Sequence, residues 1–210
     1  MKKIMMIAAM MVAAISANAQ NEVGQVTLQP KVGMNIASLT GSGNKTRVGV
    51  AAGLEAEYGV AENFGITAGV LYSMQGSKGK AGDVELKFNM DYINIPILAQ
   101  YYPINGLAIK AGVQFGFIVR QKAKIDVDGI QFRDGTIDEF FNWFNEHRTA
   151  AFPEGKLNKF DFSIPVGLSY EYQNFVLDAR YNIGVTKLVK DADQGRNSTF
   201  AITLGYKFAL

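Results

Sequence analysis

The chain has 210 residues, including 22 glycines, 5 prolines, one histidine and no cysteine. Its 21 basic and 19 acidic residues give a net charge of +2, which excludes the strongly basic balance of most nucleic-acid-binding proteins. Without cysteine there can be no disulfide, thiolate metal site or thiol nucleophile. The length suits one domain, and a mean hydropathy of +0.04 is too low for a bundle of membrane-spanning helices.

The first nineteen residues have the pattern of a secretory signal peptide. Lys2 and Lys3 form a positive start, residues 4–15 are an unbroken apolar run, and 17–19 supply small residues for a signal peptidase. A helix needs about 20 apolar residues to span a bilayer, so this run is too short to be a membrane anchor. We expect residues 1–19 to be removed on export, which leaves 20–210 as one domain.

The rest of the chain alternates apolar and polar residues, a period of two that predicts β-strands. Eight such segments occur, at about 28–36, 48–58, 64–74, 93–101, 107–119, 160–172, 175–186 and 200–210. Most have about the length that crosses a bilayer as a tilted strand, which is 9–11 residues.

Two architectures fit this alternation. In a soluble sandwich or lipid-carrying barrel the apolar faces point inward, whereas in an outer-membrane barrel they meet lipid and the polar faces line the interior. Here the polar faces carry many glycines, which a water-exposed strand does not favour. They also carry ten ionisable residues: Lys31, Glu55, Glu57, Lys110, Arg120, Asp161, Glu171, Asp178, Arg180 and Lys207. Placing half of these in lipid would cost on the order of 10–20 kcal/mol, so the membrane barrel is favoured.

Aromatic residues lie toward the ends of the segments, as two membrane interfaces select. One belt would contain Tyr58, Phe64, Tyr101, Tyr172, Phe175, Tyr206 and Phe208, and the other Tyr72, Phe117, Phe160, Phe162 and Phe200. Short connections at 59–63, 103–106 and 173–174 alternate with long ones at 40–47, 76–90, 121–158 and 189–197. The predicted fold is therefore all-β: an eight-stranded antiparallel up-and-down transmembrane β-barrel with short periplasmic turns and long outer loops.

The alternation changes phase near Asp91 and Tyr92. Before this point the apolar residues are even-numbered, as at Phe88 and Met90, and from Ile93 onward they are odd-numbered. A β-bulge near Asp91 and Tyr92 would restore the phase. Alternatively, the segment before them belongs to a hairpin that stands outside the membrane.

Three segments resemble a known family. The run YINIPILAQYYP over 92–103 is similar to the central strand of the PorT-like outer-membrane β-barrel family of Bacteroidota. KVGMNIASL over 31–39 resembles the first strand of that family, and FSIPVG over 162–167 resembles its sixth. The resemblance extends over about 26–210 and implies an eight-stranded barrel in the outer membrane.

The interior of such a barrel has room for little besides side chains. We expect an interior charge network in which four acids pair with four bases: Lys31, Glu55, Glu57, Lys110, Glu171, Asp178, Arg180 and Lys207. The sequence does not indicate which pairs form. A narrow ion path lined by the same groups is the alternative.

A long extracellular loop at 125–157 contains a short predicted amphipathic helix, at about 137–148. Thr136 and Glu139 fit a capping box at its start. Apolar residues follow at helical spacing, namely Ile137, Phe140, Phe141 and Phe144. Together with Trp143, which flanks this stripe, they form the interaction face of the helix. This face can pack on the barrel rim, lie in the membrane interface or bind a partner protein.

Signals for catalysis and metal binding are weak. His147 is the only histidine, and the Asp-containing turns at 126–129 and 191–197 lack the spacing of a calcium loop. We expect no catalytic, cofactor or metal site, and no nucleic-acid partner. The predicted protein is a non-enzymatic monomer in the outer-membrane lipid whose surface loops interact with a protein partner or the cell surface. A small lipid-modifying outer-membrane enzyme and a soluble periplasmic lipid-binding barrel are the alternatives.

Overall fold

In the part of the chain that the structure describes, ten antiparallel strands form one sheet that closes on itself. The computed structural model describes residues 23–39, 44–81, 84–127, 130–135, 158–187 and 196–210. The strands are β1 (Val26–Leu39), β2 (Asn44–Ala61), β3 (Phe64–Ala81), β4 (Val84–Ile104), β5 (Leu107–Val127), β6 (Ile130–Gly135), β7 (Phe160–Tyr172), β8 (Phe175–Lys187), β9 (Arg196–Tyr206) and β10 (Phe208–Ala209). From β1 to β5 and from β7 to β9, each strand pairs with the next in sequence. β6 and β7 both pair with β5, and β10 pairs with β1.

The first strand closes the barrel by pairing with the last two. β9 pairs with β1 at Lys31 and Gly205, and β10 continues in the same register at Leu28 and Phe208. β9 and β10 are therefore one barrel strand, interrupted at Lys207, whose backbone N–H donates to the Asn174 carbonyl at 2.7 Å. The prediction of a closed barrel of eight antiparallel strands is confirmed.

One end of the barrel has three tight turns, at 62–63, 105–106 and 173–174. Gln173 and Asn174 both have positive φ, at 47° and 70°. That is the two-residue hairpin geometry whose twist matches the flanking strands. The short connections predicted from the sequence are confirmed, and all three lie at the end where β1 begins.

The other end differs from the prediction. The segments 76–90 and 121–158 were expected to be long loops, but β3 continues to Ala81, β4 begins at Val84 and β5 continues to Val127. These strands have 18, 21 and 21 residues, longer than expected because backbone pairing continues past the barrel, with β6 added to β5. The parts of β3, β4 and β5 beyond the barrel form, together with β6, what we term the protruding sheet.

The predicted helix at 137–148 and the signal peptide at 1–19 lie outside the described residues.

A β-bulge marks the place where the alternation changes phase. Asp91 pairs with Arg120, but Tyr92 pairs with Ile118, so Val119 is an extra residue on β5. β4 keeps an unbroken register with β3 through this point. The predicted bulge is therefore confirmed, and the segment before Asp91 also forms a hairpin with β3. The position of this hairpin outside the membrane stays a prediction. The predicted inward position of Arg120 is wrong: its side chain is exposed, because the bulge shifts the alternation.

The apolar faces of the strands point outward. Leu54 and Leu204 are 42% and 51% exposed, whereas Glu55, next to Leu54 in the chain, is 1% exposed. Among the described residues, 24 polar or charged side chains are buried against eight apolar ones. This distribution of buried side chains is the reverse of the one in a soluble domain. It confirms that the polar faces line the interior.

Candidate functional site

Five buried charged side chains meet in the middle of the barrel and form what we term the central ion cluster: Lys31 of β1, Glu55 of β2, Lys110 of β5, and Asp178 and Arg180 of β8. Arg180 joins the two carboxylates. Its Nη1 lies 2.9 Å from Glu55 Oε1, and its Nη2 lies 3.1 Å from Asp178 Oδ2. The planar guanidinium suits this task because its donors point in fixed directions.

The two lysines complete the central ion cluster. Lys31 Nζ lies 2.7 Å from Glu55 Oε2 and 3.5 Å from Asp178 Oδ2. Lys110 Nζ lies 2.7 Å from the same Asp178 oxygen. Asp178 Oδ2 therefore contacts three cations, and strands on different sides of the barrel are joined through it.

A second group, the end ion cluster, lies toward the short turns. Lys207 Nζ is 3.0 Å from Glu57 Oε2 and 2.7 Å from Glu171 Oε2. The hydroxyl of Tyr102 donates a hydrogen bond of 2.5 Å to Glu57 Oε1, and Lys207 Nζ lies 5.7 Å from the Tyr102 ring centroid. The structure thus distributes all eight residues of the predicted interior network between two clusters.

The charges of the two clusters are complementary. The central ion cluster contains three cations and two carboxylates, and the end ion cluster contains one cation and two carboxylates. Their formal charges of +1 and −1 cancel. Glu55 and Glu57, only two residues apart on one face of β2, belong to different clusters. This division explains why the sequence indicated which residues are inside but not which of them pair.

Glycines provide the space for these side chains. Several cross-strand neighbours of the central ion cluster are glycine: Gly53 and Gly205 beside Lys31, Gly69 beside Glu55, and Gly167 beside Lys110 and Arg180. A Cβ on Gly69 would lie 2.5 Å from Glu55 Cγ, well inside van der Waals contact. The glycines on the polar faces of the sequence therefore make room for long charged side chains.

A small cavity of about 30 Å³ lies on the loop side of the central ion cluster. Arg180, Asn182 and Thr203 line it, and each has one buried polar atom without a hydrogen-bond partner among the described residues. A space of this size holds about two water molecules, which would satisfy these atoms. The cavity among the described residues is therefore large enough for water beside the ion cluster and far smaller than a channel.

A neutral hydrogen-bonded layer lies beyond the cavity. Gln75 Nε2 donates to Ser73 Oγ at 3.0 Å, and Asn35 Nδ2 donates to the same oxygen at 2.5 Å. Asn197 and Thr199 donate to Gln75 Oε1 at 2.5 and 3.2 Å. The layer links β1, β3 and β9, so the interior is filled by direct side-chain contacts at three levels along its axis.

Tyr102 and Asp161 are two further interior residues. Tyr102 was not predicted as a site residue, although it continues the inward series Asn94, Leu98 and Gln100 on β4, and that alternation is the signal that identifies it. Asp161 is buried as expected and accepts a hydrogen bond of 2.6 Å from the Thr186 hydroxyl. The predicted interaction face at 137–144 lies outside the described residues.

Aromatic contacts mark both ends of the lipid-facing surface. Phe117 and Phe160 have ring centroids 5.5 Å apart at the loop end, and Phe175 and Tyr206 have centroids 5.1 Å apart at the turn end. Belts of this kind are typical of the two membrane interfaces.

No helix among the described residues is long and apolar enough to cross a bilayer, and these residues contain no cluster of three or more side chains suited to a metal ion.

A closed barrel with an apolar outside, aromatic belts and a charged interior is an outer-membrane β-barrel. Residues 18–190 match the family model "Outer membrane protein beta-barrel domain", and the chain belongs to that family. It is an eight-stranded outer-membrane barrel.

Several solved structures are similar to the chain. The chain is similar to Ail, the attachment invasion locus protein of Yersinia pestis, with 17% identity and a TM-score of 0.50 over 89% of this chain and 100% of that one. It is also similar to Neisserial surface protein A, with 14% identity and a TM-score of 0.43 over 87% and 96% of the two chains. The barrel domain of Pseudomonas aeruginosa OprF has 12% identity and a TM-score of 0.37 over 89% and 98%. A comparison with curated proteins finds no match.

Proposed function

We propose that the protein is a non-enzymatic outer-membrane barrel with a closed interior that presents its outer strands and loops to a protein partner or to the cell surface. The observation that carries this proposal is the central ion cluster. Its members are no more than 5% exposed, and the cavity beside them is about 30 Å³. Function is therefore assigned to the outside of the barrel.

The ion-path alternative requires the central ion cluster to open. A passing ion would have to separate Arg180 from Glu55 or Asp178 and leave a buried charge unpaired. Removing one partner from a buried pair typically costs about 3–5 kcal/mol. The short contacts at 2.7–2.9 Å around both carboxylates therefore support a closed barrel.

The surface that remains for interaction is the protruding sheet together with the loop that follows β6. Outer-membrane barrels with short periplasmic turns place this end at the cell surface. We assign the partner contact to the loop helix predicted at 137–148, through Ile137, Phe140, Phe141, Trp143 and Phe144. An amphipathic helix that offers an apolar face is a recurrent mode of protein recognition.

Three finer assignments are part of the proposal. The motif at 92–103 supports membership of the PorT-like group, and the first nineteen residues support export through a cleaved signal peptide. We also propose a monomer, because a closed barrel leaves no unpaired strand edge within the membrane-spanning sheet that a second copy would have to cover.

Planar-bilayer recording tests the closed interior. We expect the purified barrel to give no stable conductance steps in 1 M KCl, and R180M to give small ones if the central ion cluster is the barrier. The exposed-residue variant R196M serves as the matched control and should remain silent. Steady conductance from the wild-type barrel would contradict closure.

Photo-crosslinking in intact cells tests the partner contact. A photoreactive amino acid in place of Trp143 should give a discrete adduct with one protein. Replacing Ile137, Phe140 and Phe144 with serine should abolish the adduct, and replacing Asp138, Asn142 and Glu146 with serine should leave it. An adduct that survives the apolar-face variant, or no adduct at all, would count against this role of the loop.

A further inference from the structure

The small cavity beside the central ion cluster has a positively charged wall. Lys31, Arg180 and Asp178 are the charged side chains among the described residues that line it, so the formal charge at the wall is +1. The end ion cluster, with its opposite charge, lies on the other side, toward the short turns. Asp161, a buried acid on the loop side, accepts a hydrogen bond of 2.6 Å from Thr186 and does not belong to the wall.

Arg180 has a hydrogen-bond donor at this wall that the ion pairs do not use. Its two terminal nitrogens donate to Glu55 and Asp178. Its Nε is buried and has no hydrogen-bond partner among the described residues, and the residue as a whole is 4% exposed. A guanidinium N–H can only donate, and a buried charged donor without an acceptor is costly. The group that occupies the space beside Nε must therefore be an acceptor.

Three further side chains at the cavity wall have a hydrogen to donate. Thr203 Oγ1 is buried and has no partner among the described residues. Ser73 Oγ already accepts from Asn35 and Gln75, which occupies both of its lone pairs and leaves its own hydrogen to be donated. Lys31 Nζ has three N–H groups and contacts two carboxylate oxygens. With the guanidinium, four donors therefore meet at one small space.

Free acceptors at the wall are fewer than these donors. Asn182 Oδ1 is the buried acceptor of the described wall that has no partner, and Asp178 Oδ2 already contacts three cations. The amides of Asn94 and Gln114 also line the cavity, but each offers donors as well as an acceptor. Two water molecules would bring further hydrogens that need acceptors, whereas an anion brings none. The excess of donors and the positive wall therefore favour one anion and one water over two waters.

We propose that this cavity binds one chloride ion, held by Arg180 Nε, Lys31 Nζ and the hydroxyls of Ser73 and Thr203. A space of about 30 Å³ has room for about two water-sized groups, which suits a halide with one water and is too small for phosphate or sulfate. The ligands come from β1, β3, β8 and β9, so the ion stabilises the closed barrel. It fills the cavity without separating any ion pair, and the inference does not depend on the partner or on the orientation of the barrel in the membrane.

Crystals of the folded barrel grown in sodium bromide locate the ion directly. Bromide takes the place of chloride, and its anomalous scattering distinguishes it from water. We expect one anomalous peak in the cavity, in contact with Arg180 Nε and Lys31 Nζ. A cavity that contains only water in these crystals would overturn the proposal.

Unfolding in detergent measures whether the ion stabilises the barrel. The wild-type barrel is compared in potassium chloride and in potassium gluconate of equal ionic strength, because gluconate is too large for the cavity. For one site that exists only in the folded state, each tenfold rise in chloride above the dissociation constant should lower the unfolding equilibrium constant tenfold. Equal stability in the two salts would contradict the site. A bromide peak without this chloride dependence would show an adventitious ion only and would contradict it as well.

The variant S73A/T203V removes two of the proposed ligands and leaves every member of the central ion cluster in place. We expect it to lose the bromide peak and to need at least about tenfold more chloride for the same stabilisation. T27V is the matched control, because Thr27 Oγ1 is also buried without a partner among the described residues but lies toward the short turns, outside the cavity wall. It should keep the peak and the chloride dependence of wild type.

Folding of each variant is checked by the mobility of the unheated barrel on a gel. If S73A/T203V does not fold, T203V alone tests the same point. A folded S73A/T203V barrel with the bromide peak and the chloride dependence of wild type would overturn the proposed site. That result would leave the conductance and crosslinking tests of the proposed function unaffected.

Discussion

Arg180 of β8 and Glu55 of β2 meet inside the barrel, with Nη1 2.9 Å from Oε1, although 125 residues separate them in the chain. Two barrel strands, β9 and β1, lie between β8 and β2 in the sheet. The contact therefore exists only once β1 and β9 have closed the barrel. It adds a side-chain contact between β2 and β8 to the backbone pairing of β1 with β9 that closes the barrel.

The contact predicts a graded loss of stability at Arg180. R180M leaves Glu55 and Asp178 with fewer partners in a buried site, and we expect a loss of about 3–5 kcal/mol in the free energy of unfolding. R180K keeps the charge but cannot reach both carboxylates as a guanidinium does, so its loss should be intermediate. Urea titrations in detergent, followed by circular dichroism, measure both. R196M at an exposed position should change stability by no more than about 0.5 kcal/mol, and equal losses in R180M and R196M would refute the role of the cluster.

The contacts of the end ion cluster predict that a second substitution restores part of the stability lost in K207M. K207M leaves Glu57 and Glu171 buried without their shared cation, which should cost several kcal/mol by the same reasoning. Adding E171Q removes one of the two negative charges, while Tyr102 still donates to Glu57. The double variant should therefore be more stable than K207M alone, whereas additive losses would show that the three groups do not act together.

The close packing around Glu55 predicts the effect of replacing Gly69 with alanine. The new Cβ would lie 2.5 Å from both Glu55 Cγ and the Leu54 carbonyl oxygen. We expect G69A to lose about 1–3 kcal/mol, as overpacking usually does. A68V adds volume one residue away on the exposed lipid-facing side and should be nearly neutral. A barrel with G69A as stable as wild type would show that the interior has more room than these distances indicate.

The proposed absence of enzymatic activity predicts the behaviour of the single histidine. H147A should leave the mass spectrum of lipid A from cells that express the barrel identical to that of cells with the wild-type protein. Cells with an empty vector provide the baseline. A lipid A species that depends on the barrel and disappears in H147A would favour the lipid-modifying alternative instead.

Alternation of residue type was enough to predict the barrel, its strand number and the inward position of the charged residues. Glu55 and Lys110 could be placed inside because a period of two assigns each residue to a face before any contact is known. The partners could not be predicted, because pairing between β2 and β8 depends on closure and tilt. Arg120 was misplaced for a related reason, since a single extra residue at Val119 reverses the faces beyond it.

The sequence suggested the β3–β4 part of the protruding sheet only as an alternative, because the stretch that joins these strands is typical of a loop. The stretch SKGKAG at 77–82 has small and charged residues in place of an apolar face. Up to Ala81 it forms strand because the backbone ladder of β3 and β4 continues beyond the barrel. Backbone hydrogen bonding extends a hairpin without help from side-chain pattern, so an alternation-based prediction ends the strands too early.

The direction of the strand faces is tested most directly by nitroxide labels on single cysteines, which this cysteine-free chain permits without further changes. Labels at L54C, V166C and L204C in lipid vesicles should collide readily with oxygen and poorly with a water-soluble nickel complex. Labels at the inward neighbours S169C and T203C should collide poorly with oxygen. Nickel-accessible labels at Leu54 and Leu204, or oxygen-accessible labels at Ser169 and Thr203, would show that the apolar faces do not meet lipid.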